Sequence, residues 1–295
     1  MDHDVVLLGA TGFAGKLVAE YLASHPSQTS FSWAIAGRSP DKLAALRSSL
    51  TGVAPEIIVA DTAERPSIDA MVSKARVVLT TAGPYSEHGG DVVVEACARQ
   101  GRHYADLTGE YWFQRAMIDQ FHEEAQRTGA KIVHAAGVDS IPSDLGTQLA
   151  IEQLERRGER AAHVKALFTH YAGSFSGGTN RTLESLAQLP ESGQYAAAFC
   201  NDPYVLAPSA EGKVEGETIT GWDERRFDRD FGRLGTPFFM APINARNVRR
   251  SLALSGRLPA GGGVLTPALA LGSVLRQRLA AVEGGEFMHF RVLSS

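Results

Sequence analysis

The 295-residue sequence predicts an α/β protein, a doubly wound parallel sheet followed by a second, smaller domain. Short apolar runs bounded by glycine alternate with stretches of helical periodicity through the first half of the chain, the pattern of strands and helices in a parallel sheet. The first such pair is joined by the turn Gly9-Ala10-Thr11-Gly12-Phe13-Ala14-Gly15. The length accommodates two ordinary domains, and with 44% hydrophobic and 21% charged residues the composition is that of a globular protein.

Val5-Val6-Leu7-Leu8 reads as a buried parallel strand, and behind the turn Phe13, Leu17, Val18, Tyr21 and Leu22 recur at helical spacing. Each glycine has its own task. Gly9 allows the tight turn, Gly12 lets the backbone approach a pyrophosphate, and Gly15 lets the helix lie close to the strand. The N–H groups at the helix start would hold the anion, with Ala10, Thr11 and Phe13 completing the contact surface. The spacing is G-x-x-G-x-x-G rather than G-x-G-x-x-G, so the strand-to-helix context carries the assignment more than the glycines do.

Phe31 to Gly37 is a second apolar run and ends at Arg38-Ser39-Pro40-Asp41. About 20 residues past the glycines an acidic residue would bind the ribose 2′-hydroxyl of NAD, whereas an arginine accommodates the 2′-phosphate of NADP. Arg38 therefore points to NADP(H). Ser39 followed by Pro40 resembles an N-cap and first-turn pair, which would bring a hydroxyl and a helix N-terminus to the same phosphate. A solvated loop arginine is the alternative.

A third strand, Glu56 to Ala60, ends on Asp61, which suits either an adenine contact or a helix cap. The fourth, Arg76 to Thr81, breaks into Ala82-Gly83-Pro84-Tyr85. Loops at the carboxyl ends of strands near a topological switch line the ligand crevice, so Ala82, Gly83 and Pro84 are expected to cover the ribose and nicotinamide. Tyr85 is a candidate proton donor there, with a packing aromatic as the alternative. Asp91 to Gln100 reads as a helix stopped by Gly101, with Cys97 in the core. A fifth strand, His103 to Asp106, a helix from Trp112 to Thr128, and a sixth strand, Lys131 to Ala136, follow; Gly137 to Asp144 then turns into a helix reaching Arg157. The expected strand order is 3-2-1-4-5-6, that of a Rossmann sheet. Ser140, in the last of these turns, is a second candidate donor.

The net charge of −4 leaves no basic footprint for nucleic acid. Cys97 and Cys200 lie far apart, so neither a disulfide framework nor a structural metal site is expected, and a reducing cytoplasm fits. The first strand starts at Val5 and leaves no room for a signal peptide ahead of it.

Taken together, Gly9 to Gly15, Ala36-Gly37-Arg38-Ser39, Gly83-Pro84-Tyr85, Asp106-Leu107-Thr108-Gly109-Glu110 and Gly137-Val138-Asp139-Ser140-Ile141-Pro142-Ser143-Asp144-Leu145-Gly146 resemble the saccharopine dehydrogenase-like oxidoreductases. With Ser176-Gly177-Gly178-Thr179 and Pro237 to Asn244, the resemblance is greatest to the trans-acting enoyl reductase branch. It covers roughly Asp4 to Ser255. It implies a Rossmann domain joined to a smaller α+β domain; the bounds expected for this chain are 1–158 and 159–295, the second domain being expected to serve substrate binding and dimerisation and to end in a helical tail. It also implies reduction of an enoyl intermediate in polyketide lipid assembly; the NADP-type strand end, the loops at Gly83-Pro84-Tyr85 and Gly137 to Ser140 and a facing apolar domain make the expected place of reaction the crevice between the two domains.

In the second domain, His163 to Tyr171 reads as a strand, and Gly173 to Thr179 turns into a helix through Leu189 that could face a substrate carboxylate, thioester oxygen or phosphate, or be a plain connection. Lys213 to Arg233 is polar and expected to be exposed. Ile243 to Leu254 suits a helix whose Arg246, Arg249 and Arg250 form a solvated basic face, or one that meets an acyl carrier or coenzyme A. Leu258 to Val282 is too interrupted by glycine, proline and arginine to span a membrane, which needs about 20 apolar residues; core packing is the default and peripheral membrane contact the alternative. The resemblance implies a lipid-like substrate, free or carrier-borne. Competing readings are an imine or amino-acid reductase, for which the Ser174 to Thr179 turn lacks the carboxylate-binding Arg or Lys, and a non-catalytic NADP-binding regulator. The Tyr-x-x-x-Lys pair of short-chain dehydrogenases is absent.

Overall fold

The computed structural model describes residues 2–27, 30–138, 140–169, 176–189, 195–208, 226–258, 263–270 and 288–294. Contacts divide the chain into two units. One comprises Met1–Gly137 with Ser176–Thr182, the other Val138–Phe175 with Leu183–Ser295.

The first unit holds a six-stranded sheet in the order β3-β2-β1-β4-β5-β6. Its strands are β1 (His3–Leu8), β2 (Trp33–Gly37), β3 (Glu56–Val59), β4 (Ala75–Thr80), β5 (His103–Asp106) and β6 (Ile132–Val133). All neighbours pair in parallel, so every strand ends on the same edge. The helices between them are α1 (Phe13–Ser24), α2 (Pro40–Ser49), α3 (Arg65–Lys74), α4 (Gly90–Gln100) and α5 (Tyr111–Thr128). This is the expected Rossmann order. The stops at Gly101 and Gly129 are also as the sequence indicates, both glycines taking left-handed dihedrals at the ends of α4 and α5.

Two local expectations are corrected. The packing face of α1 is the small-residue stripe Gly15, Ala19, Ala23, flanked by half-buried Val18 and Leu22, while Phe13, Leu17 and Tyr21 lie outside, Phe13 with 72% of its surface exposed. Small side chains win the inner face because they let the helix approach β1 closely. Strand β6 stops at Val133 rather than Ala136 because the next residues turn toward Asp106, whose side chain and carbonyl accept the N–H groups of Ala135 and Ala136 at 2.9 and 2.7 Å.

The second unit holds a five-stranded sheet in the order β11-β7-β10-β9-β8. Strands β7 (Ala161–Phe168), β8 (Arg226–Asp228), β9 (Arg233–Pro237), β10 (Gly263–Ala270) and β11 (Met288–Ser294) pair antiparallel except β7 with β10. Helices α6 (Ile141–Glu155) and α9 (Ala241–Leu254) belong to this unit, and Ile151, Val164, Ala166, Val248 and Leu252 form one core cluster. Because α6 packs on β7 and α9, the first unit ends at 137 rather than at 158. The described part of the tail is strand, not helix: β10 and β11 flank β7. Helix α7 (Gly177–Gln188) has its first turns in the first unit, and α8 (Ala197–Asn201) is short. Gly173, Ser174, Phe175, Asp139 and most of 213–233 lie outside the described residues.

The basic face expected on α9 is corrected too. Arg246 and Arg249 are buried. Arg246 donates to the carbonyls of Cys200, Asp202 and Pro242, Arg250 donates to Leu206 O, and Arg249 lies 5.2 Å from the centre of the Tyr204 ring. The guanidinium groups therefore bind 200–206 against α9. Among the described residues no helix is long and apolar enough to cross a membrane.

Candidate functional site

The carboxyl edge of the first sheet gathers the loops that follow its six strands. At its centre the chain leaves β1 toward β2 on one side, while β4 continues the sheet on the other. This is the switch point at which open α/β sheets bind ligands.

The two loops that meet there touch. Thr81 N donates to Leu8 O at 3.0 Å, and Thr81 Oγ1 to Gly9 O at 3.2 Å. Gly9 has φ +81°, and a Cβ on it would lie 2.9 Å from Ala82 N. Its lack of a side chain thus serves both the left-handed turn and the approach of the β4 loop. A Cβ on Gly15 would sit 2.2 Å from Gly9 O, so only glycine lets α1 begin this close to the turn. Gly12 is the exposed N-cap of α1 and offers no side-chain cap, which leaves the first-turn N–H groups without intrahelical acceptors. Ala10 is buried behind the turn, and Thr11 and Phe13 border it. This cradle fits a dinucleotide pyrophosphate: open amides, a helix N-terminus and no Cβ in the way.

At the end of β2, Arg38 is exposed and Ser39 caps α2, accepting from Lys42 N, with Pro40 in the first turn. Guanidinium, hydroxyl and helix start are thus adjacent, as a 2′-phosphate would require. Asp61 does not cap α3, whose N-cap is Glu64. It closes a turn instead, Oδ1 accepting from Ala63 N at 3.0 Å, while its backbone bonds Ser67 Oγ. The loop after β4 carries a cis bond between Gly83 and Pro84, with Pro84 buried and Ala82 and Gly83 partly open.

Tyr85 is 3% exposed. Its hydroxyl donates to Thr80 O at 3.0 Å and accepts from Leu107 N at 3.3 Å, and its ring stacks on Phe113. Burial, reinforced by Asp106, pushes the phenol well above its ordinary range. The geometry favours the packing alternative, a tie between the ends of β4 and β5. Ser140 is buried at the start of α6 and donates to Asn244 Oδ1 at 2.9 Å, while Asn244 Nδ2 donates to Ser143 Oγ. Its hydroxyl proton is thus committed within the second unit. Cys97 is core, and burial raises its thiol far out of the reactive range.

Two buried carboxylates organise the rest of the edge, and sequence reasoning did not single them out as functional. Glu110, at the N-cap of α5, accepts from Tyr85 N at 2.8 Å and from Ser86 N at 3.0 Å, and also from Ser86 Oγ, which fixes the loop after β4. Asp106, with 0% exposure, accepts from Thr108 N and Ala135 N on Oδ1, and on Oδ2 from Tyr104 OH at 2.9 Å; His134 Nδ1 also meets Oδ2, at 2.6 Å. The available signal was that Asp106 ends β5 and His134 directly follows β6 at the buried edge of a parallel sheet, where neither periodicity nor burial calls for a charge.

The comparisons agree with this geometry. Residues 5–135, the six-stranded sheet, match the saccharopine dehydrogenase NADP binding domain. A Mycobacterium tuberculosis protein named provisionally as a trans-acting enoyl reductase is 36% identical over 291 residues, 96% of this chain and 69% of the relative. The trans-acting enoyl reductase of Mycobacterium bovis is 40% identical over 266 residues, 86% of this chain and 62% of that protein. Among solved structures, apo saccharopine dehydrogenase from Saccharomyces cerevisiae is similar over 56% of this chain and 34% of its own, with a TM-score of 0.46 and 19% identity. The chain spans about two-thirds of the length of the mycobacterial relatives. With an NADP-type nucleotide edge and this identity along nearly its whole length, the chain belongs to the trans-acting enoyl reductases, NADP-dependent oxidoreductases built on a saccharopine dehydrogenase-type Rossmann domain.

Proposed function

We propose that the chain reduces the carbon–carbon double bond of an enoyl thioester of lipid or polyketide type, using NADPH held at the carboxyl edge of the first sheet. The observation that carries this reading is the juxtaposition on that edge of the open glycine cradle and the Arg38–Ser39 helix start. Gly9 to Gly12 and the first turn of α1 would hold the pyrophosphate, Arg38 and Ser39 the 2′-phosphate, Asp61 the adenine side, and Ala82 to Pro84 the ribose and nicotinamide. Bound NADPH supplies the hydride.

The chain's own residues have two tasks. They must hold the β4 loop still, which Glu110 does through Tyr85 and Ser86. They must also meet the charge that develops on the substrate carbonyl and deliver a proton to the α-carbon. Tyr85 and Ser140 are weaker candidates for these roles than the sequence suggests, since their protons are already given to Thr80 O and Asn244 Oδ1.

The decisive experiment follows NADPH oxidation with enoyl thioesters carried on coenzyme A and on an acyl carrier protein. Consumption with at least one of them, and none with Gly12→Val, is expected. Turnover of an imine or aldehyde with no enoyl compound reduced would overturn the substrate class, and NADPH binding without turnover of any of these would leave a nucleotide-binding regulator. A homodimer and peripheral membrane contact belong to the same reading and are tested by sedimentation and by vesicle flotation. A basic docking face for an acidic carrier is not part of it on α9, because Arg246 and Arg250 are spent on backbone carbonyls.

A further inference from the structure

His134 directly follows β6 on the same edge, and its side chain is 8% exposed. Nδ1 is bonded to Asp106 Oδ2, and the ring packs edge-on against Tyr104 and Phe113. Nε2 is buried and has no hydrogen-bond partner. Leaving a buried polar atom unsatisfied is costly enough that a folded protein rarely keeps one without a use for it.

The contacts of Asp106 specify the state of the ring. Two backbone N–H groups and the Tyr104 hydroxyl already donate to this carboxylate, which has about four acceptor sites. Asp106 is therefore the acceptor of the fourth contact as well, and Nδ1 carries the donated proton. That fixes the tautomer and leaves Nε2 as the ring atom that gains and loses a proton, the arrangement by which a carboxylate orients a catalytic imidazole. The backbone next to it is also unusual. Ala135 has φ +55°, a left-handed conformation that a non-glycine residue adopts at a cost and that clusters at functional sites. Here the N–H of Ala135, bonded to Asp106, holds it in place. Strands β4 to β6 form the half of the sheet that accommodates the nicotinamide mononucleotide in a Rossmann domain, so the pair lies on the reacting side rather than the adenine side.

We propose that His134, oriented by Asp106, is the general acid of the reduction and delivers from Nε2 the proton that ends on the substrate α-carbon. The inference rests on the enoyl-reductase reading. Once hydride has reached the β-carbon, the former double-bond electrons reside in an enolate. The enolate reforms its carbonyl as its electron pair takes the proton: the N–H bond at Nε2 breaks, a C–H bond forms at the α-carbon, and the imidazole, left neutral, is reprotonated from water. His134 is the catalytic residue in this step and Asp106 a positioning residue. Among the described residues the titratable groups facing the ring are Asp106 and Tyr104, both on β5, while α5 contributes the uncharged Phe113. A catalytic acid completes its hydrogen bonds with the substrate, which accounts for an Nε2 that has no partner within the protein.

The test has two arms. In the ligand-free wild-type chain, long-range proton–nitrogen NMR of the imidazoles should show His134 Nδ1 protonated at every pH at which the protein stays folded, and Nε2 exchanging between N–H and lone pair; Asp106→Asn should abolish the fixed tautomer. In the reaction, His134→Gln should lower turnover by about 10²- to 10⁴-fold and remove the corresponding limb of the pH–rate profile, with NADPH affinity unchanged by calorimetry. Turnover within about threefold of wild type, equal losses of turnover and NADPH affinity, or an Nδ1 without its proton would each overturn the proposal. If the wild-type chain binds NADPH and reduces no enoyl thioester, the enoyl reading fails, and the NMR arm alone then decides whether the pair is poised as an acid: an Nε2 that never carries a proton overturns it, and one that does supports it.

Discussion

Gly12 and Gly15 are three residues apart and do different work, so their substitutions should fail differently. A Cβ on Gly15 would meet Gly9 O at 2.2 Å and Ala10 Cα at 2.8 Å, both backbone atoms that cannot step aside. Gly15→Ala should therefore push α1 off β1 and destabilise the protein by about 1–3 kcal/mol in a denaturant titration. Gly12 has more room, its nearest atom being Gly9 O at 3.3 Å, and its surface faces outward. Gly12→Val should leave the fold and abolish NADPH binding by calorimetry; unchanged affinity would remove the pyrophosphate from this turn. Arg38→Ala should weaken NADPH by about 10- to 150-fold, the worth of a charge-assisted bond of about 1.5–3 kcal/mol, and leave NADH nearly unaffected. Equal losses for both nucleotides would refute the 2′-phosphate assignment. Tyr85→Phe removes the bonds to Thr80 O and Leu107 N, each worth about 0.5–1.5 kcal/mol, and should appear as lost stability with near wild-type turnover. A turnover loss of about 10²-fold or more would restore Tyr85 to the chemistry.

Among the elements, the ion pairs that tie β7 to the turn between β8 and β9 show how charge can secure a sheet. Lys165 on β7 reaches Asp228 at 3.0 Å and also Asp230, and Asp228 further accepts from Asp230 N and Phe231 N. Burial works against ionising Asp228, but the lysine and the two amides outweigh it and hold the carboxyl below its ordinary range. A carboxyl lowered in this way contributes stability that is present above its unfolded value, near about 3.9, and is lost as the pH falls through the folded one. Lys165→Met leaves the carboxylate with its amides alone and should cost about 1–3 kcal/mol at pH 7. As the pH falls through the folded value the carboxyl becomes protonated in both proteins, so urea titrations carried toward acid should show the difference shrinking; a constant difference would assign the loss to packing instead.

At the scale of the whole molecule, nucleotide binding should be felt at one edge of one unit. Saturation with NADPH at about 100 times its dissociation constant adds about 2.7 kcal/mol to the stability of the unit that binds it. Hydrogen exchange should slow at 9–15, 38–39 and 82–84, and not in β7 to β11. Protection spread over the second sheet instead would place the cofactor elsewhere.

The sequence by itself determined the parallel sheet and its strand order, the glycine turn, the Ser39 cap and the glycine stops after α4 and α5. All of these are written within a few consecutive residues, as a period, a cap or a turn. Only the tertiary structure decided which face of α1 is buried, that Tyr85 is a tie, that the α9 arginines serve 200–206, and that Asp106 holds His134. In the last three the partners are distant along the chain: Tyr85 and Leu107 are 22 residues apart, Asp106 and His134 28, and Arg246 and Cys200 46. A hydrogen bond of that reach leaves no periodicity for a sequence to display, because it depends on where the strands and helices set their ends and not on what lies beside each residue in the chain.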